Sequence, residues 1–255
     1  MQLHYKSYGD DGHPLVVLHG LLGSSDNWHT VATAFGKYFR VFTLDARNHG
    51  RSPHSDEMSY AAMAEDVREF LNQQNLPSVH VLGHSMGGKA AMQFALTSPE
   101  LVDKLVVVDI APRAYGRQHD YIFDAATALD LKAVTSRKEV NDTLSLRIHS
   151  EATRQFVMKN LARDDAGGFL WKTNLDAILR HYDEINGALD ASGHFGKPTL
   201  FLKSIEAGYI TADDEPLIQS MFPRSTIISL NVGHWIHAEA PEEFTHIVQN
   251  FLRES

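Results

Sequence analysis

Short apolar runs alternate with amphipathic stretches along the first part of the chain. Residues 15–18 (LVVL), 41–44, 79–82 and 105–109 (LVVVD) are apolar runs of strand length, bounded by polar residues, glycine or proline. Such runs predict strands buried on both faces. Residues 3–8 predict an edge strand. Between the runs the period changes. Met63, Val67, Phe70 and Leu71 fall at helical spacing within 59–74, with Ser59 as N-cap. Residues 87–98 predict a second helix, stopped by Pro99. After Pro112 the alternation breaks. Residues 113–190 carry helical signals at 121–131, 136–148, 151–161 and 175–185, with no convincing strand. Strands return at 198–202 (PTLFL) and 226–230 (TIISL). A closing helix follows at 241–252, with proline at its first position and glutamates in its first turn.

This order predicts an α/β protein: a mostly parallel central sheet with helices on both faces and a helical cap inserted between two strands. The core is expected to comprise residues 1–112 and 191–255, and the cap residues 113–190. Ligands bind such sheets at the carboxyl ends of the strands. A helical insert placed there acts as a lid.

Composition narrows the function. A net charge of −9 repels phosphate backbones and anionic lipid, so neither nucleic acid nor membrane is an expected partner. Cysteine is absent, which removes disulfides, thiol catalysis and thiolate zinc sites. The amino-terminal MQLHYKSYGDDG has no apolar core of a secretory signal, and no apolar run approaches a membrane span. A cytoplasmic protein, monomeric or homodimeric, is the expectation.

The chemistry concentrates at the predicted strand ends. Gly83-His84-Ser85-Met86-Gly87 matches G-x-S-x-G between a strand and a helix, where the serine hydroxyl is exposed on a tight turn. Ser85 is the candidate nucleophile. An oxyanion needs two N–H donors. The Met86 amide is one. The other is expected from His19-Gly20-Leu21-Leu22-Gly23, with Leu21 as donor. The chain holds 15 histidines, so residue type alone does not identify the base. Chain order in this architecture runs serine, acid, histidine. That favours His234 in Gly233-His234-Trp235-Ile236-His237, with His237 expected to make a structural hydrogen bond. His80 and His84 share the i, i+4 spacing of helical metal sites, but on a strand they stand roughly 13 Å apart. No metal and no cofactor is expected.

The motifs HGLLGSSDNW, LDARNHGRSP, GHSMGGKAAM, VVVDIAP and GHWIHAEAPEEF span the chain. With them it resembles the α/β-hydrolase superfamily, and within it the YbfF-type esterases and the abhydrolase-domain-11 group. Many superfamily members carry the acid in a loop resembling PTLVIWGxxDxxV. Laid on that pattern, PTLFLKSIEAGYI puts Ala207 at the acid position, and alanine cannot orient an imidazole. Ser204 and Ile205 also depart from that loop's usual glycines. Asp109 ends the strand after the nucleophile strand, and the resemblance implies this aspartate as the acid. Glu206, Asp213 and Asp214 remain alternatives.

The resemblance implies carboxylesterase activity on a small-molecule acyl ester, extending to acyl-CoA thioesters. Leu22, Tyr115, Trp171 and Trp235 are candidate substrate contacts. Phe123 and Tyr182 belong to the acyl pocket or to the core of the insert. Arg113 and Arg117 could meet an anionic group, although solvated surface is the plainer role. Asp45, Arg47, Asn48 and His49 are expected to hold loops. The same triad would also serve a C–C bond hydrolase, a cofactor-free haloperoxidase or perhydrolase, or a ligand-binding homologue with little turnover.

Overall fold

The computed structural model describes residues 1–254. Nine strands are assigned: β1 (Tyr5–Tyr8), β2 (His13–Leu18), β3 (Phe39–Leu44), β4 (Val79–His84), β5 (Val102–Val108), β6 (Leu161–Arg163), β7 (Phe169–Trp171), β8 (Thr199–Ser204) and β9 (Ser225–Leu230). Seven form one sheet in the order β1-β3-β2-β4-β5-β8-β9. Only β1 runs antiparallel, against β3.

Eleven α-helices accompany them: α1 (His29–Phe35), α2 (Tyr60–Gln73), α3 (Met86–Thr97), α4 (Asp120–Thr127), α5 (Arg137–Ser145), α6 (Glu151–Met158), α7 (Leu175–Arg180), α8 (Tyr182–Asn186), α9 (Glu215–Met221), α10 (Ile236–Glu239) and α11 (Pro241–Arg253). The Ser59 side chain caps α2 by accepting from the Ala62 amide.

Side chains alternate across each strand, so each apolar run supplies two cores. Val16, Leu18, Val81 and Val107 join Phe70 and Phe94 of α2 and α3 on one face. Leu15, Val17, Leu82 and Val106 join Phe35 of α1 and Phe244 of α11 on the other. Among the described residues no helix is long and apolar enough to cross a membrane.

The segment between β5 and β8 differs from the expected all-helical insert. It holds α4 to α8 and also the antiparallel hairpin β6–β7. Three-residue strands are too short for a period-two signal to stand out. The helix expected over 175–185 is two helices, because His181 leaves helical geometry (φ −104°, ψ 14°). The segment shares its apolar interior with the α2–α3 face: Phe123, Ile178 and Tyr182 lie in the same cluster as Phe70. Polar bonds add to this. The Asn160 side chain donates to the Leu22 carbonyl (2.7 Å), and Tyr60 donates to the Ile185 carbonyl (2.6 Å).

Candidate active site

The sheet's carboxyl edge carries backbone strain. Leu22, Ser85 and Asp109 have φ of 60°, 53° and 51°, each just beyond β2, β4 or β5. Positive φ is costly for non-glycine residues and clusters at functional sites. The sheet ladder holds two of them. The Ser85 amide donates to the Val108 carbonyl (3.0 Å), and the Asp109 amide to the Leu202 carbonyl (2.8 Å). The glycines flanking Ser85 are required by close approach. A Cβ at Gly83 would lie 2.1 Å from the Gly87 carbonyl oxygen, and one at Gly87 2.5 Å from the Leu18 and His19 carbonyl oxygens. That packing lets β4 turn directly into α3 with Ser85 at the turn.

Ser85 and His234 line one cavity of about 160 Å³. The His234 ring is held from several directions. Its Nδ1 donates to Asp109 Oδ2 (2.8 Å), and Asp109 is fully buried. The other carboxylate oxygen, Oδ1, accepts from the Ser204 amide (2.8 Å). Tyr209 stacks on His234, with ring centroids 4.1 Å apart. His84 Nε2 donates to the His234 carbonyl (2.9 Å). Among the described residues, His234 Nε2 has no partner and no hydrogen bond joins it to Ser85 Oγ.

Burial sets the electrostatics. It pushes the Asp109 carboxyl up, opposed by the Ser204 amide, and holds His234 below the usual imidazole range. Burial thus favours the neutral form of the imidazole. A hydroxyl beside such a ring has a proton acceptor available.

Leu21 and Met86 line a smaller chamber beside Ser85. Neither backbone amide has a partner among the described residues, whereas the adjacent Leu22 amide is taken by His49 Nε2 (3.1 Å). His49 in turn donates from Nδ1 to the Arg47 carbonyl (2.9 Å), and His19 donates to the Gly20 carbonyl (2.8 Å). The loop bearing Leu21 is therefore fixed from within. Lys89, four residues after Ser85, lies in the same chamber. It donates to the Gly187 carbonyl and has no carboxylate partner among the described residues, and burial brings its pKa down to about 7.

The expected loop-holding roles are visible. Arg47 forms paired bonds to Asp66 (2.7 and 3.0 Å), and Asn48 Oδ1 accepts from the Ser55 amide (2.8 Å). Asp45 accepts from the Ser25 and Arg51 amides at 2.6 and 2.9 Å.

Leu22 and Trp235 line the main cavity, and Tyr115 lines the smaller chamber. Trp171 does not line either. It faces a separate surface depression and donates from its indole to the Ala126 carbonyl (3.2 Å), because it sits on the hairpin that sequence patterning missed. Phe123 and Tyr182 are buried inside the insert and line neither chamber. Arg113 is spent on Asp214 (2.6 Å) and Arg117 on Asp120 and Asp183, so neither presents an unpaired charge. Asp214 also accepts from the Thr211 amide (2.8 Å), which ties it to its own turn. His237 stacks on Trp28 (4.1 Å), and among the described residues its Nδ1 has no hydrogen-bond partner, contrary to the expected structural hydrogen bond.

Sequence reasoning missed His119, Tyr121, Ile122 and Phe156, which line the cavity from the insert, and Tyr209. An aromatic two residues after the vacated acid position was the available signal for Tyr209.

A family model described as the alpha/beta hydrolase fold matches residues 13–241. The chain is similar to the sn-1-specific diacylglycerol lipase ABHD11 of Danio rerio, 38% identical over 252 residues, covering 95% of this chain and 79% of that protein. It is also similar to Esterase YbfF of Escherichia coli (strain K12), 31% identical over 245 residues, covering 94% of this chain and 93% of that one. Among solved structures, a marine microorganism esterase matches with a TM-score of 0.96 at 41% identity, covering 98% of this chain and 99% of that chain.

Proposed function

The chain belongs to the alpha/beta hydrolase fold family, and on that footing we propose that it is a serine carboxylesterase acting on small to medium acyl esters. The observation that carries this reading is the 2.8 Å bond from His234 Nδ1 to the buried Asp109, beside the cavity that Ser85 shares. The names of the relatives, lipase and esterase, support it.

In this reading Ser85 Oγ attacks the ester carbonyl carbon and its proton passes to His234 Nε2. Asp109 keeps the imidazole in the correct tautomer and stabilises the imidazolium. The Leu21 and Met86 amides receive the oxyanion. Collapse breaks the bond to the leaving alcohol, which takes the proton from His234. Water, deprotonated by His234, then splits the acyl-enzyme to acid and restores Ser85.

Residues 113–190 serve as a lid, since His119, Tyr121, Ile122 and Phe156 wall the cavity opposite the loops of the sheet. Apolar walls suit an acyl chain. Thioesters share the acyl chemistry. The ion pairing of Arg113 and Arg117 removes the two cations that would meet a CoA phosphate, which favours oxygen esters.

A chain-length series of p-nitrophenyl esters and acyl-CoA thioesters, with fluorophosphonate labelling, tests the reading. Turnover and labelling are expected in the wild type and lost in Ser85→Ala. An unlabelled, inactive wild type would instead indicate a ligand-binding homologue.

A further inference from the structure

A second cluster of chemistry lies at the opposite pole of the sheet. There β2, β4 and β5 begin, and they bring His13, His80 and Asp103 together. One ligand atom from each lies within 4.8 Å of the others. His13 Nε2 stands 2.9 Å from Asp103 Oδ2, yet that oxygen has no hydrogen-bond partner. His80 is 6% exposed and its Nδ1 is likewise without a partner. Asp103 Oδ2 thus has only the His13 ion pair and His80 Nδ1 has no hydrogen-bond partner among the described residues, so both atoms are available to a ligand.

The backbone is shaped to make this cluster. The β4–β5 register shifts between Val79 and His80: Val79 pairs with Val102 and His80 with Lys104. Asp103 is the extra residue of that bulge. Bulges re-aim side chains, and this one brings Asp103 beside the two imidazoles. The rings of His13 and His80 lie 4.2 Å apart, centroid to centroid.

Two imidazoles and one carboxylate suit a borderline divalent transition ion, with a fourth position left to water. Calcium and magnesium require more oxygen ligands. Two ammonium groups stand nearby. Lys104 donates to the Phe251 carbonyl (2.8 Å) and Lys197 to the Val102 carbonyl (2.7 Å), with Lys197 Nζ 3.9 Å from Asp103 Oδ1. These ammonium groups oppose any bound cation, so affinity must come from the two imidazole donors and the Asp103 carboxylate. Tetrahedral bonds of about 2.1 Å separate ligand atoms by about 3.4 Å, so His13 must swing outward by roughly half an ångström. Its partly exposed side chain leaves room for that.

We propose that His13, His80 and Asp103 form a binding site for a divalent transition ion of the Zn2+ class, tying three strands together at the pole opposite Ser85. Binding to the native state alone raises stability. The proposal is independent of the esterase reading.

Calorimetric titration of the metal-free, untagged protein with Zn2+, and thermal unfolding with and without it, provide the test. One saturating equivalent and a higher Tm are expected, with no such response to Mg2+ or Ca2+. Asp103→Asn and His13→Gln, both at partly exposed positions, should each weaken binding by about tenfold or more while ester hydrolysis is unchanged. Absence of saturable binding in the wild type would overturn the site. So would wild-type affinity in both variants, which would mean that other histidines hold the ion.

Discussion

Strands β5 and β8 are neighbours, and their carboxyl ends do different work. β5 runs directly into Asp109, a fully buried residue at φ 51° whose two carboxylate oxygens each have a partner. β8 ends at Ser204 and runs into Ile205, Glu206 and Ala207, with no carboxylate there bonded to His234. The β8 loop instead braces. Its Ser204 amide holds Asp109 and its Tyr209 ring covers His234. The Ser204 hydroxyl donates to the Val232 carbonyl and accepts from the Ala207 amide. The contrast separates two tasks: supplying the charge behind an imidazole, and supplying the frame that aims it. Here they sit on different strands.

Substitutions at the two ends should therefore fail differently. Asp109→Asn removes the charge and leaves the shape. The expected loss in kcat is about 10^3- to 10^4-fold, with fluorophosphonate labelling slowed and thermal unfolding near wild type. Tyr209→Ala removes part of the frame, and a smaller loss of about three- to thirtyfold in kcat is expected from the missing ring. Its pH signature is more telling. Burial is the largest cause holding His234 below its ordinary value of 6.5. Opening the ring to water relieves that burial, so His234 rises towards 6.5 and gains its proton at higher pH. A protonated imidazole is no base, so the acid limb of kcat/KM should move to higher pH. A limb that stays in place would show that Tyr209 does not shield the base. Glu206→Gln should change nothing measurable, since Glu206 has no side-chain bond to the site. A large loss there would return the acid to the β8 loop and dissolve the comparison.

The two ends were also unequally legible. Asp109 stood out because an apolar run with a carboxylate at its end is visible in one dimension, and Ala207 marked the usual position as vacant. Gly83, Ser85 and Gly87 were legible because their spacing encodes a steric requirement. Phe156 was not, since lining a cavity depends on which loops fold over it, and Tyr209 was marked only by its place two residues after Ala207. The same limit explains Trp171. Its aromatic character was plain, but the three-residue strands around it carry no periodicity, and the hairpin faces it away from the cavity. Arg113 shows the complementary failure: its charge was visible, and its partner Asp214, far along the chain, was not. At the other pole, His13, His80 and Asp103 come from three strands and have no motif spacing.

Ser85 and Asp109 each donate a backbone amide to the neighbouring strand, so the bonds that register β4 on β5 and β5 on β8 also fix the proposed nucleophile and the proposed acid. Slipping either pair by one residue would turn every side chain of the slipped strand to the opposite face. The reactive constellation thus has no assembly step of its own. It comes into being when the sheet closes, and refolding monitored by active-site labelling and by burial of the sheet should report one event.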